Sequence, residues 1–252
     1  MLAGHDRALL QVSGGKDSTA LLHLARPWLD RIEVLFCESG GTFPHVRAFV
    51  EETCARLGVA LTIVSDPEPL DAYHARAGLP SDMVPQWADP DGRALRSDGG
   101  GAVRLQGPLR CCSARLWQPV QRHIREAGHT LVLRGSKACD GRVGVPDGHV
   151  ENGVEYRSPL WRWSHAEVLA YLDREGVALP RHYRDGVADS LDCWSCTAHL
   201  PYHGAEKLAW MKANTPDLFD RLRPRLDYVH RAVAAHALAQ SQVIRAALED
   251  RG

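Results

Sequence analysis

Ala8-Leu9-Leu10-Gln11-Val12-Ser13-Gly14-Gly15-Lys16-Asp17-Ser18-Thr19-Ala20-Leu21-Leu22-His23-Leu24 is the stretch on which the fold turns. Its first five residues read as a buried strand and its last six as a helix stopped by Pro27. Between them, Gly14 and Gly15 let the backbone approach a pyrophosphate closely. The helix that follows presents unpaired amides and a positive dipole end to the same anion. Lys16 adds a point charge, Ser13 and Ser18 offer hydroxyls, and Asp17 suits a magnesium contact or a brace for the loop. A plain Gly-Gly turn capped by Asp or Ser accounts for the glycines but not for strand, hexapeptide and helix in immediate succession. The spacing differs from a Walker A loop, which needs Gly-x4-Gly-Lys-Ser/Thr.

Outward from that loop, strands and helices alternate. Ile32–Cys37 and Val59–Val64 read as strands around a helix over Val46–Leu57 that Gly58 ends. A helix over Ser113–Ala127 leads to a strand at Thr130–Arg134. Ser164 and Glu167 form a capping box ahead of a helix that ends at Gly176. Such alternation predicts an α/β fold, a doubly wound and mostly parallel sheet with helices on both faces, plus a helical C-terminal extension. Residues 1–200 are expected to form the nucleotide-binding domain, with an irregular insertion at about 65–110, and 201–252 the extension. The insertion is rich in proline and holds Gly99-Gly100-Gly101, so only a short helix near Leu70–Ala77 and a loose tip near 97–101 are expected there. The tail is expected to break near Pro216 and Pro224. In an open parallel sheet the ligand lies beyond the carboxyl ends of the strands. That rule gathers Ser13–Ser18, then Glu38, Ser39 and Gly40, then Gly135, Ser136, Lys137 and Arg142 at one crevice. Lys137 and Arg142 taken singly read equally well as solvated surface charges.

The 252 residues hold 30 Lys+Arg against 31 Asp+Glu, for a net charge of −1. That balance excludes a strongly basic nucleic-acid coat or an acidic tail protein. No apolar run approaches a membrane span, no secretory signal is read at the start, and a cytoplasmic location with reduced thiols is expected. Four of the seven cysteines form two tight pairs, Cys111-Cys112 and Cys193-x-x-Cys196. Four thiolates can close a sulfur shell around zinc or an iron–sulfur cluster, and an adjacent Cys-Cys pair suits zinc poorly. Cys37, Cys54 and Cys139 read as small hydrophobes or loop residues. Arg93, Arg96, Arg104, Arg110 and Arg115 gather in the sequence with Trp87 and Trp117, and Arg221, Arg223, Arg225 and Arg231 lie in the tail. Arginine beside aromatics suits nucleic acid, and arginine paired with nearby acids is the plainer reading. Trp161-Arg162-Trp163 reads as packing. His199 and His203 read as donors to sulfur or as surface groups.

The Ser-Gly-Gly-Lys-Asp-Ser hexapeptide resembles the signature of the PP-loop ATP pyrophosphatases, the adenine nucleotide alpha hydrolases. Glu38-Ser39-Gly40-Gly41-Thr42-Phe43-Pro44-His45 is similar to a stretch beside the adenosine in the APS/PAPS reductase family. Arg134 to Arg142 resembles that family's arginine-rich segment near the phosphates, and Ser158-Pro159-Leu160 with Trp163 its Pro-Leu-x-x-Trp segment. The likeness runs from about Ala8 to His199. It implies an adenine nucleotide, and a [4Fe–4S] cluster on Cys111, Cys112, Cys193 and Cys196. Two departures separate this sequence from the reductases: no cysteine follows Cys196, where they carry a nucleophile, and the lysine-bearing loop is intact. The expected chemistry is therefore ATP with Mg²⁺ adenylating an acceptor, with Lys16, Asp17, Ser18 and Arg142 catalytic. Sulfur transfer to a nucleic acid, tRNA or DNA, is the favoured role, with a sulfur-donor protein such as a cysteine desulfurase as partner and a homo-oligomer as the assembly. Sulfonucleotide reduction and non-catalytic nucleotide binding are the alternatives.

Overall fold

A computed structural model describes residues 4–84, 93–96, 102–140 and 146–249. In chain order its elements are β1 (Ala8–Val12), α1 (Lys16–Leu24), β2 (Ile32–Glu38), α2 (Pro44–Arg56), β3 (Leu61–Ser65), α3 (Leu70–Ala77), β4 (Leu79–Pro80), β5 (Arg93–Arg96) and β6 (Ala102–Gln106). These are followed by α4 (Pro108–Cys112), α5 (Gln118–Ala127), β7 (Leu131–Leu133), β8 (His149–Glu151), β9 (Val154–Arg157), α6 (His165–Arg174), α7 (Arg181–Arg184), α8 (Ala205–Asn214) and α9 (Pro216–Glu249). Two compact units share them: residues 1–66 with 116–191, and residues 67–115 with 192–252.

The first unit is the expected α/β sheet. Its strand order is β3-β2-β1-β7-β9-β8, parallel throughout except for the β8–β9 hairpin. The period-two alternation of side chains sorts β1 cleanly. Ala8, Leu10 and Val12 face a core completed by Leu21 and Leu22 of α1, Val50 and Cys54 of α2, and Val168 and Leu172 of α6. Leu9 faces the other way, onto Val120 and Ile124 of α5 with Leu35, Val132 and Tyr156. Leu9 and Leu10 are both fully buried, each contributing about 1.5–3 kcal/mol of burial. Helices on both faces explain why β1 reads as an unbroken apolar run. β2 leaves β1 on one side and β7 joins it on the other, so the direction of winding reverses beside β1. Ligands bind at such a reversal. The capping box before α6 is present, with Glu167 N–H donating to Ser164 Oγ at 3.2 Å and Ser164 N–H to Glu167 Oε2 at 2.7 Å.

The second unit departs from expectation. The proline-rich insertion carries α3 as read, but also a three-stranded sheet of order β4-β6-β5, with β4–β6 parallel and β5–β6 antiparallel. Leu105 of β6, fully buried, packs with Val84 and with Val229 and Ala232 of α9, so this insertion shares a core with the tail. The expected division at residue 200 thus differs from the compact units, in which insertion and tail go together. α9 starts with Pro216 but runs on through Pro224. One ladder hydrogen bond is lost there, and the full burial of Leu222 on the same turn offsets it. The 97–101 tip lies outside the described residues. No described helix is long and apolar enough to cross a membrane.

Candidate nucleotide and cluster sites

Residues 13–18 form the loop between β1 and α1. Gly14 adopts φ +79°, and a Cβ there would fall 2.6 Å from Val46 Cγ1, so only glycine fits. Gly15 is the N-cap of α1 and supplies no side-chain cap. Ser18 Oγ lies 3.1 Å from Ser13 Oγ, accepts from Ser13 N–H and donates to the Gly15 carbonyl. Both serine hydroxyls therefore brace the loop. Tyr183 Oη accepts the Lys16 N–H at 3.2 Å.

Two lysines are buried here, each 2% exposed. Lys16 Nζ pairs with Asp189 Oδ1 at 2.8 Å and approaches Asp17 Oδ2 at 3.7 Å. Lys137 Nζ pairs with Asp17 Oδ1 at 2.6 Å and Asp140 Oδ1 at 2.9 Å. Burial alone depresses the Lys137 ammonium, and its bonds to Asp17 and Asp140 more than reverse this, so its pKa stands above the ordinary lysine value. Gly135 makes that meeting possible: a Cβ on it would lie 2.9 Å from Asp17 C and Ser18 N. The loop after β7 thus lies directly against the loop after β1, as a phosphate site at the winding reversal requires.

Glu38 and Ser39 close the turn after β2. Glu38 Oε1 accepts the Gly40 N–H at 2.9 Å and Ser39 Oγ the Gly41 N–H at 3.0 Å, with Gly40 at φ +82°. Ser136 lies half-buried between Gly135 and Lys137. Arg142 lies outside the described residues. The sequence reading missed Asp189, Asp140 and Tyr183, and also a histidine pair, His45 Nε2 at 3.1 Å from His182 Nδ1. Burial, then repulsion from His45, pushes the pKa of His182 down to about 4. His45 and Asp140 fall inside segments the sequence singles out, and Tyr183, His182 and Asp189 do not.

The four paired cysteines all belong to the second unit. Cys111 and Cys112 end α4, immediately before a π-helical turn over Ser113–Trp117, a distortion that commonly marks a functional position. Cys193 and Cys196 lie on one tight turn, with Cys196 N–H bonded to the Cys193 carbonyl at 3.2 Å. Cys111 is buried close enough to the other three that their negative charge adds to desolvation in pushing its pKa far up. Buried cations line the same region. Arg115 (4% exposed) lowers the pKa of Cys111, while Lys207 (7% exposed) lowers that of Cys196 and bonds the Cys193 carbonyl. His74 Nε2 lies 3.5 Å from Cys111 Sγ. Four thiols gathered with buried cations fit an anionic thiolate-bound cluster: the metal replaces four protons, and the cations offset the remaining charge.

Several expectations meet different outcomes here. His74, not His199, is the imidazole beside a cysteine; the His199 N–H goes to Asp82 Oδ1 at 2.7 Å, and the His203 side chain lies outside the described residues. Arg115 is buried and bonds the Glu68 carbonyl at 2.8 Å, so it is no surface contact. Arg104 is exposed and bonds the Arg76 carbonyl, and Arg110 is half-buried. The side chains of Arg93 and Arg96, and all of Trp87, lie outside the described residues, and Trp117 is 43% exposed. In the tail, Arg223 and Arg231 pair with Asp220 and Asp227, the plainer reading. Arg221 and Arg225 stack over Trp194, and Arg225 also pairs with Asp71. Trp163 packs edge-on against Tyr171 in the core.

Residues 7–199 match the family model of the phosphoadenosine phosphosulfate reductase domain. Over 200 residues the chain is 28% identical to an adenosine 5'-phosphosulfate reductase of Deinococcus radiodurans, covering 78% of this chain and 68% of that one. It is 36% identical over 197 residues to the sulfate adenylyltransferase subunit 2 of Mycobacterium tuberculosis, covering 72% of this chain and 59% of the relative. The chain thus spans under two thirds of that subunit's length. Among solved structures, the phosphoadenylyl-sulfate reductase of Candida auris, determined as a phosphate complex, aligns with a TM-score of 0.50 at 20% identity, over 71% of this chain and 78% of that one. At that identity the likeness speaks for the fold.

Proposed function

Because the chain belongs to the phosphoadenosine phosphosulfate reductase domain family, we propose that it cleaves ATP to AMP and pyrophosphate to activate an acceptor in a sulfur-transfer pathway. One observation carries the reading: two buried ammonium groups, Lys16 and Lys137, flank the uncapped N-terminus of α1 at the winding reversal. An acceptor oxygen attacks the α-phosphorus, the bond to the bridging α–β oxygen breaks, and its electron pair leaves on pyrophosphate. The α1 amides and the two lysines stabilise that leaving charge. Asp189 holds Lys16 until a phosphate competes for it. Asp17, Asp140 and Asp189 supply the oxygen donors that Mg²⁺ takes, and bound Mg²⁺ would neutralise phosphate charge.

Cys111, Cys112, Cys193 and Cys196 would hold a [4Fe–4S] cluster, which when bound supplies a site for sulfide or a cross-link between two segments. Nucleic acid, tRNA or DNA, is the proposed acceptor, with a sulfur-donor protein as partner. The likeness to a Mycobacterium sulfate adenylyltransferase subunit supports the ATP-cleaving half of this reading and a partner chain for it. The likeness to a Deinococcus adenosine 5'-phosphosulfate reductase supports reduction as the second reading.

Product identification tests the proposal. Anaerobically purified protein is incubated with Mg²⁺ and ATP plus tRNA, DNA or sulfate, and separately with APS or PAPS plus thioredoxin. Acceptor-dependent pyrophosphate, with AMP retained on the acceptor and released only when sulfide is added, supports adenylation. Sulfite from APS or PAPS, with no pyrophosphate from ATP, establishes the reductase instead.

A further inference from the structure

At the amino ends of the strands, away from the phosphate loop, three side chains from distant parts of the sequence meet. Glu33 lies at the start of β2, in register with Leu9 of β1. His123 comes from α5, and His129 from the turn between α5 and β7. His123 Nε2 lies 2.8 Å from Glu33 Oε1, and His129 Nε2 lies 2.8 Å from Glu33 Oε2. One ligand atom from each residue falls within 4.8 Å of the other two.

Simple hydrogen bonding does not account for the whole arrangement. His123 is aligned to bond Glu33. The His129 side chain is 5% exposed, yet neither of its ring nitrogens has a hydrogen-bond partner, despite the short approach of Nε2 to the carboxylate. A buried nitrogen left unsatisfied in this way is destabilising. Ligands of one ion approach each other closely without being aligned to bond one another, and the close but unbonded His129 Nε2 and Glu33 Oε2 fit that pattern. Two imidazoles and a carboxylate are a donor set that zinc and related first-row ions accept, with a position left for water. Thr62 donates a side-chain hydrogen bond to Glu33, the kind of outer contact that orients a metal ligand. Glu33 also lines a surface cavity of about 640 Å³ with Thr62, so its carboxylate is reached from solvent.

We propose that Glu33, His123 and His129 form a divalent-cation site, chemically suited to zinc, that ties the start of β2 to the α5–β7 turn. It is separate from the four-cysteine site and uses no sulfur. The probe is Zn²⁺ added to the chelator-washed full-length chain, then desalted and counted, alongside His123→Gln and Glu33→Gln. Whatever the cysteines retain is common to all three proteins and cancels. Wild type is expected to hold about one equivalent more zinc than either variant, and its melting temperature to rise with added Zn²⁺ where theirs does not. Equal zinc in three folded proteins overturns the proposal and leaves a hydrogen-bonded Glu–His cluster. Should the variants not fold, wild-type protein loaded with Co²⁺ decides. Absorption bands from a second Co²⁺ without sulfur charge transfer support the site, and a spectrum accounted for entirely by thiolate ligation overturns it.

Discussion

The phosphate-loop crevice and the four-cysteine region solve opposite electrostatic problems. Around the loop, buried cations come with their own anions: Lys16 with Asp189, and Lys137 with Asp17 and Asp140. Around the cysteines, buried cations lie beside Cys111 and Cys196, whose thiols desolvation holds protonated, with repulsion from the other three cysteines adding to it at Cys111. In the crevice three carboxylates answer two ammonium groups, and the proposed polyanion would bind there by taking the lysines from their carboxylates. The cysteine region reaches its anionic form only when a metal replaces the thiol protons. One site is held together by the protein's own ion pairs, and the other would be completed by the cluster proposed for it.

That contrast can be broken or sharpened by substitution. The largest effect is expected from Lys16→Ala, which removes one of the two ammonium groups at the loop. Pyrophosphate release should fall by about 10²–10³-fold while iron content stays unchanged; loss of iron together with activity would show that the two regions are not electrostatically independent. Cys196→Ser is the converse. Iron and the brown absorbance should be lost while equilibrium ATP binding is retained, and a variant keeping full iron content would remove Cys196 from the ligand set.

Acid should act on the crevice through His182. Its folded pKa, about 4, lies below the ordinary 6.5, so the unfolded chain binds the extra proton more tightly. Stability is therefore unaffected above pH 6.5, is lost progressively as pH falls from 6.5 to 4, and levels off below that, for a total of about 3 kcal/mol. His182→Gln should reduce the fall in melting temperature over that window, with His74, whose burial also lowers its pKa to about 4, supplying part of what remains. An unchanged slope would place the acid sensitivity elsewhere. The smallest effect belongs to neither site: Ser164→Ala removes the cap of α6 and should cost about 1 kcal/mol in denaturant melts, with nucleotide binding and iron content both intact.

The phosphate loop was legible because its parts are contiguous: strand, glycines, lysine and helix follow one another within Ala8–Leu24. The same holds for the Ser164 capping box. What the sequence hides is whatever depends on distance. Asp189 pairs with Lys16, and Tyr183 with the Lys16 amide, through the return of a late, irregular segment to the crevice, and no periodicity announces that return. Lys137 looked as much like a surface charge as a phosphate ligand until Gly135 was seen to bring it against Asp17. The small β4-β6-β5 sheet escaped notice because β4 is two residues long and proline obscures its surroundings. Pro224 misled in the other direction, since helix propensity is local while the burial of Leu222 is not.

The pairing of β1 with β7 also bears on how the site comes into being. β1, β2 and β3 are near neighbours in sequence and can pair early, but the far side of β1 waits for a strand made only after residue 130. Contacts of such sequence separation are slow to form. A chain arrested before β7 would carry the whole hexapeptide without the Lys137–Asp17 contact beside it. Nucleotide affinity in this protein is then a readout of completed folding, one that a refolding experiment can follow in time.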